Sequence, residues 1–173
     1  MEIRRANLSD VDGIMKIIAE AQKYLKLQRI DQWQDGFPSR EVIENDINNA
    51  EAYVICDNDT VAAYYAFYHA PEPVYADIHC GAWGDDDGKY GVIHRMAVSE
   101  AYRGQGLSHK LYEHAIGRCL ELGYNSIRVD THAQNLIMRS LAAAHGFEYC
   151  GIVYYPGGLE RIAYERMLIP TAL

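Results

Sequence analysis

Several things are missing from this chain, and each absence closes a class of function. No uninterrupted apolar run approaches the roughly 18 residues of a membrane span. The N-terminal stretch MEIRRANLSD also lacks the apolar core of a secretory signal. No membrane partner is therefore expected, and a cytoplasmic location is. The four cysteines, Cys56, Cys80, Cys119 and Cys150, form no CxxC pair, which removes the zinc knot and the dithiol redox motif and leaves reduced, mostly buried thiols with no metal. A surplus of positive charge is absent too. The formal net charge is −8 and the pI about 5.3, so no general attraction to nucleic acid is expected, and a small or cationic partner suits the chain better. Internal repeats, low-complexity stretches and linkers are likewise missing.

What is present is enough for one core. With 173 residues, 49% of them hydrophobic and 23% charged, the chain is expected to form a single domain over 1–173. Ile3–Arg5 reads as a short strand. Ser9 then reads as the cap of a helix carrying Val11, Ile14, Ile17, Ile18, Ala21 and Leu25 on one face. Pro38-Ser39 opens a second helix, with Val42, Ile43, Ile47 and Ala50 on its apolar side. The runs AYVIC and TVAAYYAFYH, joined at Asp57-Asn58-Asp59, read as a hairpin. VYADIHC is expected to extend the sheet, and GAWGDDDGKYG to cross the surface. VIHRMAV (Val92–Val98) reads as a buried strand, followed by a helix on Leu107, Leu111, Ala115, Cys119 and Leu122 that ends at Gly123. The strand NSIRVD, a helix ended by Gly146, and two strands around Pro156-Gly157-Gly158 complete the chain.

The stretch YRGQGLSHK lies where the strand passes into a helix. Such a junction exposes unpaired N–H groups at the positive end of the helix dipole. Gly104 and Gly106 remove the side chains that would keep a phosphate away, and Arg103 and Lys110 add charge. A pyrophosphate is the natural guest. The ending is not the Gly-Lys-Ser/Thr of a P-loop, and Ser108-His109 stand where a dinucleotide fingerprint would place its third glycine.

Read with their flanks, these residues resemble the GNAT-type N-acetyltransferases, whose acetyl-CoA loop follows a central strand and reads Arg/Gln-x-x-Gly-x-Gly/Ala. Here it is Arg103-Gly104-Gln105-Gly106-Leu107-Ser108. The likeness includes HRMAV upstream and Asn135, twelve residues before the phenylalanine of Gly146-Phe147, and is closest over residues 90–155. It implies an α/β (α+β) fold with a central mixed, largely antiparallel, splayed sheet and about four helices. It implies acetyl-CoA as co-substrate, with backbone groups of Met96, Ala97 and Val98 on the acyl arm, Arg103 to Ser108 on the pyrophosphate and Asn135 on the pantetheine. Ser108 replaces the usual Gly/Ala but is small and can donate to phosphate. The resemblance also admits a homodimer.

Transfer to an amine needs a neutral amine, an oxyanion donor and an exit for the thiol. A main-chain N–H at Met96–Val98 can serve the oxyanion. Many family members carry a tyrosine acid five residues before the Gly-Phe phenylalanine, where this chain has Ala142. A thiol of pKa about 8.5 leaves without much help, and Tyr64, Tyr65, Tyr68, Tyr154 and Tyr164 are alternatives. Candidate bases are His94, which by alternation shares a face with Met96 and Val98 while Arg95 points away, and His132, with Asp130 as its partner. The resemblance places DQWQDGFP over the acceptor, with Trp33 and Phe37 as walls and Asp31 or Asp35 as counter-ion. The expected activity is acetyl transfer to a primary amine of a small molecule or peptide. The rivals are a non-catalytic acyl-CoA sensor and a regulator that binds ATP or NAD.

Overall fold

The computed structural model describes residues 1–69, 71–84 and 88–168. Seven strands and four α-helices follow in the order β1 (Glu2–Arg5), α1 (Val11–Leu27), α2 (Arg40–Asn48), β2 (Ala52–Asp57), β3 (Thr60–Tyr68), β4 (Tyr90–Val98), α3 (Leu107–Glu121), β5 (Ser126–Thr131), α4 (Leu136–Ala144), β6 (Glu148–Tyr155) and β7 (Leu159–Met167). The strands make one open mixed sheet ordered β1-β2-β3-β4-β5-β7-β6. The chain divides into two compact units. The first is Met1–Phe67 with His94–Leu111, and the second is Tyr68–Ile93 with the chain from Tyr112 onward. Strand β4 and helix α3 run through both.

In the first unit, β1, β2 and β3 pair antiparallel. The β2–β3 turn is Asn58-Asp59, with Asn58 at φ +50°, a conformation asparagine tolerates. Helix α1 buries Val11, Ile14, Ile17, Ile18 and Leu25, as the 3.6-residue period predicts. Its entry is capped differently from the sequence expectation. Asn7, not Ser9, does the capping: its Oδ1 accepts from Ser9 N at 2.9 Å, and Asp10 Oδ2 accepts from Asn7 N at 2.8 Å. A short 3-10 turn over Leu8–Asp10 moves the cap two residues upstream. Arg4 holds Asp10 with two bonds of 2.7 and 2.8 Å and keeps its carboxyl below the usual range. Helix α2 is capped by Ser39, whose Oγ accepts from Val42 N at 3.4 Å. It buries Ile43 and, unexpectedly, Asp46, while Ala50 lies exposed beyond its end.

In the second unit β4 and β5 pair parallel over Tyr90–Ile93 and Ser126–Val129, and β7 pairs antiparallel with both β5 and β6. VYADIHC does not form the expected strand. Pro73 lacks an N–H and suits a first helical position, so Pro73–Ala76 makes a 3-10 turn and only His79 bridges to Ile152, through two bonds of 2.8 Å. Gly81 is needed next to it, because a Cβ there would lie 1.9 Å from Cys150 O. GAWGDDDGKYG is more than a surface crossing. Trp83 Nε1 donates to Tyr75 O at 2.8 Å and its ring lies 4.1 Å from the Arg128 guanidinium. Residues 85–87 of that stretch lie outside the described residues.

Beneath Trp83, Arg128 and Glu165 form a buried ion pair at 2.8 Å, with Ser126 Oγ donating to the same carboxylate at 2.7 Å. Leu122, expected on the apolar face of α3, is exposed because the helix stops at Glu121 and the chain turns at Gly123. All four cysteines are free. Cys119 is buried, Cys56 and Cys150 are half-buried and Cys80 is exposed, so the thiols are not mostly buried as expected.

Candidate functional site

The glycine loop belongs to the first unit and stands on a fixed base. After β4, Ser99 N donates to Ala62 O at 2.9 Å, Glu100 N to Glu20 Oε2 at 2.8 Å, and Tyr102 Oη to Asp57 Oδ2 at 3.1 Å. These tie three of the four loop positions 99–102 to β3, α1 and β2. Arg103 lies over the Tyr24 ring, 5.0 Å from its centroid, and 3.7 Å from Glu100 Oε1. Above this base Gly104 has φ +77° and Gly106 φ +75°, left-handed conformations that glycine adopts without steric cost. Helix α3 starts at once, with Lys110 N donating to Gly106 O at 3.2 Å. Among the described residues, the N–H groups of Gly104, Gln105, Gly106, Leu107 and Ser108 donate to no protein acceptor. A Cβ built at either glycine meets no protein atom within 4 Å. Five adjacent donors at a helix start, over left-handed glycines, make an anion-binding concavity.

Just upstream, β4 is kinked. Arg95 has φ +52°, which for a residue with a side chain costs on the order of 1–3 kcal/mol. This φ departs from the extended geometry on which the alternation of His94, Met96 and Val98 rests. Nor does Arg95 simply point away. Its Nε and Nη2 donate to Asp46 Oδ2 at 2.9 Å and Oδ1 at 2.6 Å, and Tyr64 Oη donates to the same Oδ2 at 2.6 Å. Both charged side chains are buried, at 7% and 2% exposure. Burial, with the Asp46 carboxylate beside it, pushes the Tyr64 phenol well above its ordinary pKa, so it stays a donor.

The segment expected over the acceptor lies in this unit too. Trp33 has φ +64° and is half-buried. Asp35 Oδ1 accepts from Phe37 N at 3.2 Å, and Gln22 Nε2 donates to Phe37 O at 3.0 Å. The exposed Phe37 ring has the Arg95 guanidinium 6.0 Å from its centroid. Loop residues 103–108, strand residues His94–Val98 and the segment Trp33–Phe37 thus share one compact unit.

The remaining predicted residues lie in the second unit. Asn135 caps α4, its Oδ1 accepting from Met138 N at 3.3 Å. His132 Nδ1 accepts from Gln134 N at 3.1 Å. Asp130, expected to partner His132, instead accepts at Oδ2 from Tyr75 and Tyr155 at 2.7 and 2.8 Å. Tyr164 is buried and its hydroxyl accepts from Arg139 Nε at 3.2 Å. Ala142 is buried within α4. Of the other tyrosines, Tyr65 stacks on Tyr53 at 5.5 Å, and Tyr154 Oη donates to Glu160 Oε2 at 3.3 Å. Among the described residues no group of three or more His, Cys, Asp or Glu is arranged to hold a metal, and no helix is long and apolar enough to cross a membrane.

Asp46, Tyr64 and Arg95 were missed as a set. The signal was available: Asp46 falls on the apolar face of α2, three residues from Ile43 and four from Val42, and a carboxylate in an apolar stripe requires a partner.

An anion cradle between the fourth strand of an open mixed sheet and the following helix is the layout of a class of acyl-CoA-dependent transferases, and comparison with known proteins agrees. The model of the acetyltransferase (GNAT) family matches residues 18–147. A GNAT-family acetyltransferase of known crystal structure from Streptococcus agalactiae 2603 is 35% identical, over 96% of this chain and 94% of its own, with a TM-score of 0.82. A second, from Listeria monocytogenes 4b F2365, is 21% identical over 96% of this chain and 94% of its own, with a TM-score of 0.72, and bears on the fold alone. The uncharacterized N-acetyltransferase YesJ of Bacillus subtilis (strain 168) is 23% identical over 145 residues, which is 82% of this chain and 78% of YesJ. The chain belongs to the GNAT acetyltransferase family and is an acyltransferase. The family uses acetyl-CoA as co-substrate, and the five open amides over left-handed glycines fit the pyrophosphate of that molecule.

Proposed function

We propose that this chain transfers acetyl from acetyl-CoA to a primary amine of a small molecule or peptide, by direct attack in a ternary complex. The observation that carries the reading is the row of amides from Gly104 to Ser108 with no protein acceptor. Arg103, Gly104, Gln105, Gly106, Leu107 and Ser108 hold the pyrophosphate, with Asn135 on the pantetheine. Acetyl-CoA supplies the acyl group as a thioester, and its thiol, of ordinary pKa about 8.5, departs as a thiolate. The amine nitrogen bonds to the acyl carbon as the carbon–sulfur bond breaks. Main-chain N–H groups at Met96, Ala97 and Val98 take the carbonyl oxygen's developing charge. The amine's proton passes to His94 or His132, and Tyr164 is the acid that protonates the departing thiolate. Trp33 and Phe37 wall the acceptor, and the exposed Asp35 attracts its ammonium before deprotonation.

Residues 1–173 act as one domain in this reading, supported by the two elements that run through both units and by a family match that spans them. A cytoplasmic homodimer belongs to the same proposal, with the terminal strands β1 and β6 as the edges for pairing. Its test is the mass in solution by light scattering.

The activity test is free-thiol release from acetyl-CoA across a panel of primary amines. Amine-dependent release is expected. Coenzyme A binding without release for any amine would return the reading to a sensor of acyl-CoA.

A further inference from the structure

The kink in β4 has a buried support. Arg95 sits left-handed one residue before Met96 and donates a fork of two bonds to Asp46 on α2, while Tyr64 on β3 donates to the same carboxylate. A buried ion pair is a poor way to gain stability, since apolar residues of similar volume commonly do as well, and its attested value is in fixing one arrangement against others. Here the arrangement fixed is the direction of the main chain at Met96–Val98. The same guanidinium lies against Phe37, so one side chain is shared by the acyl strand and the acceptor segment.

We infer that Asp46 is a positioning residue for acetyl transfer: through Arg95 it holds the kink that aims the amides of Met96–Val98 and seats Phe37. The inference rests on the reading that those amides face the acyl carbonyl. Asp46 accepts from Arg95 and Tyr64, on strands that precede the pyrophosphate loop, so its loss should be felt in turnover and not in coenzyme affinity. A residue important only for stability would not divide the two.

The test is the variant Asp46→Asn, checked for folding by circular dichroism and followed by hydrogen exchange of the free protein, coenzyme A calorimetry and steady-state kinetics. Expected are exchange at residues 95–98 faster by about tenfold, kcat lower by about tenfold or more, and coenzyme A affinity within about threefold of wild type. A folded variant with wild-type exchange at 95–98 and kcat within about twofold overturns the inference. If Asp46→Asn does not fold, Tyr64→Phe keeps the ion pair and removes one bond to it. Exchange at 95–98 should then rise about threefold, and no change overturns the inference. Should the wild-type protein release no thiol with any amine, the acetyl-transfer reading fails, while the exchange experiment still decides whether Asp46 holds the kink.

Discussion

The segments Arg103–Ser108 and Asp31–Phe37 are both loops that lead towards a helix, but they offer different groups to a ligand. Ahead of α2 the loop folds back on itself: Gln34 N donates to Asp31 O at 3.3 Å and Phe37 N to Asp35 Oδ1 at 3.2 Å, and Ser39 caps the helix through Val42 N. Ahead of α3, the amides of Gly104 to Ser108 find no acceptor among the described residues. The first loop turns on its own polar groups and offers an aromatic surface in Trp33 and Phe37. The second is left incomplete and offers donors to an anion. A loop that recognises through its main chain should tolerate side-chain loss and fail when its amides are blocked, and a loop that recognises through side chains should do the reverse.

That contrast can be broken by substitution. Gly106→Asp sets a carboxylate over the cradle and should weaken coenzyme A about a hundredfold, or about 2.7 kcal/mol by calorimetry. No protein atom lies within 4 Å of the added Cβ, so the variant should still fold, with a melting point lowered by the positive φ. In the acceptor segment Trp33→Ala should raise KM for the amine about tenfold and leave coenzyme A affinity unchanged. Gln105→Ala, by contrast, removes a whole side chain from the cradle and should change coenzyme A affinity by less than about twofold.

A smaller effect concerns the frame that carries both loops. Arg4 depresses the carboxyl of Asp10 in the folded state. The folded protein therefore binds the proton less readily than the unfolded chain, so this contribution to stability is complete above the ordinary carboxylate pKa of about 4 and is lost as pH falls through the depressed value. Asp10→Asn should flatten the acid limb of a melting-point profile below about pH 4 and lower the plateau above it.

The same division explains what could be read in the sequence. The loop was legible because its function needs only two glycines at a strand-to-helix junction, a local pattern that places donors without help from distant residues. The helices and most strands were legible through their apolar period. VYADIHC was not, because Pro73 and the close packing of Gly81 on Cys150 decide its path. The kink at Arg95 was hidden for a different reason. Strand alternation assumes regular φ and ψ, and the departure is held by Asp46, which lies 49 residues away in the chain. His132 shows the same limit: Asp130 suits it by spacing, yet two tyrosines brought in from elsewhere take one oxygen of that carboxylate. Ala142 was legible as a departure from the family pattern, and its burial in α4 accounts for a small residue there.

The central claim is that the main-chain amides of residues 104–108 are the coenzyme's anion site. Amide NMR of the ¹⁵N-labelled protein during titration with coenzyme A tests it directly. The account predicts that the signals of Gly104, Gln105, Gly106, Leu107 and Ser108 move together and furthest, with one saturation curve. If coenzyme A binds and these five stay in place while the largest shifts fall elsewhere, the account is contradicted.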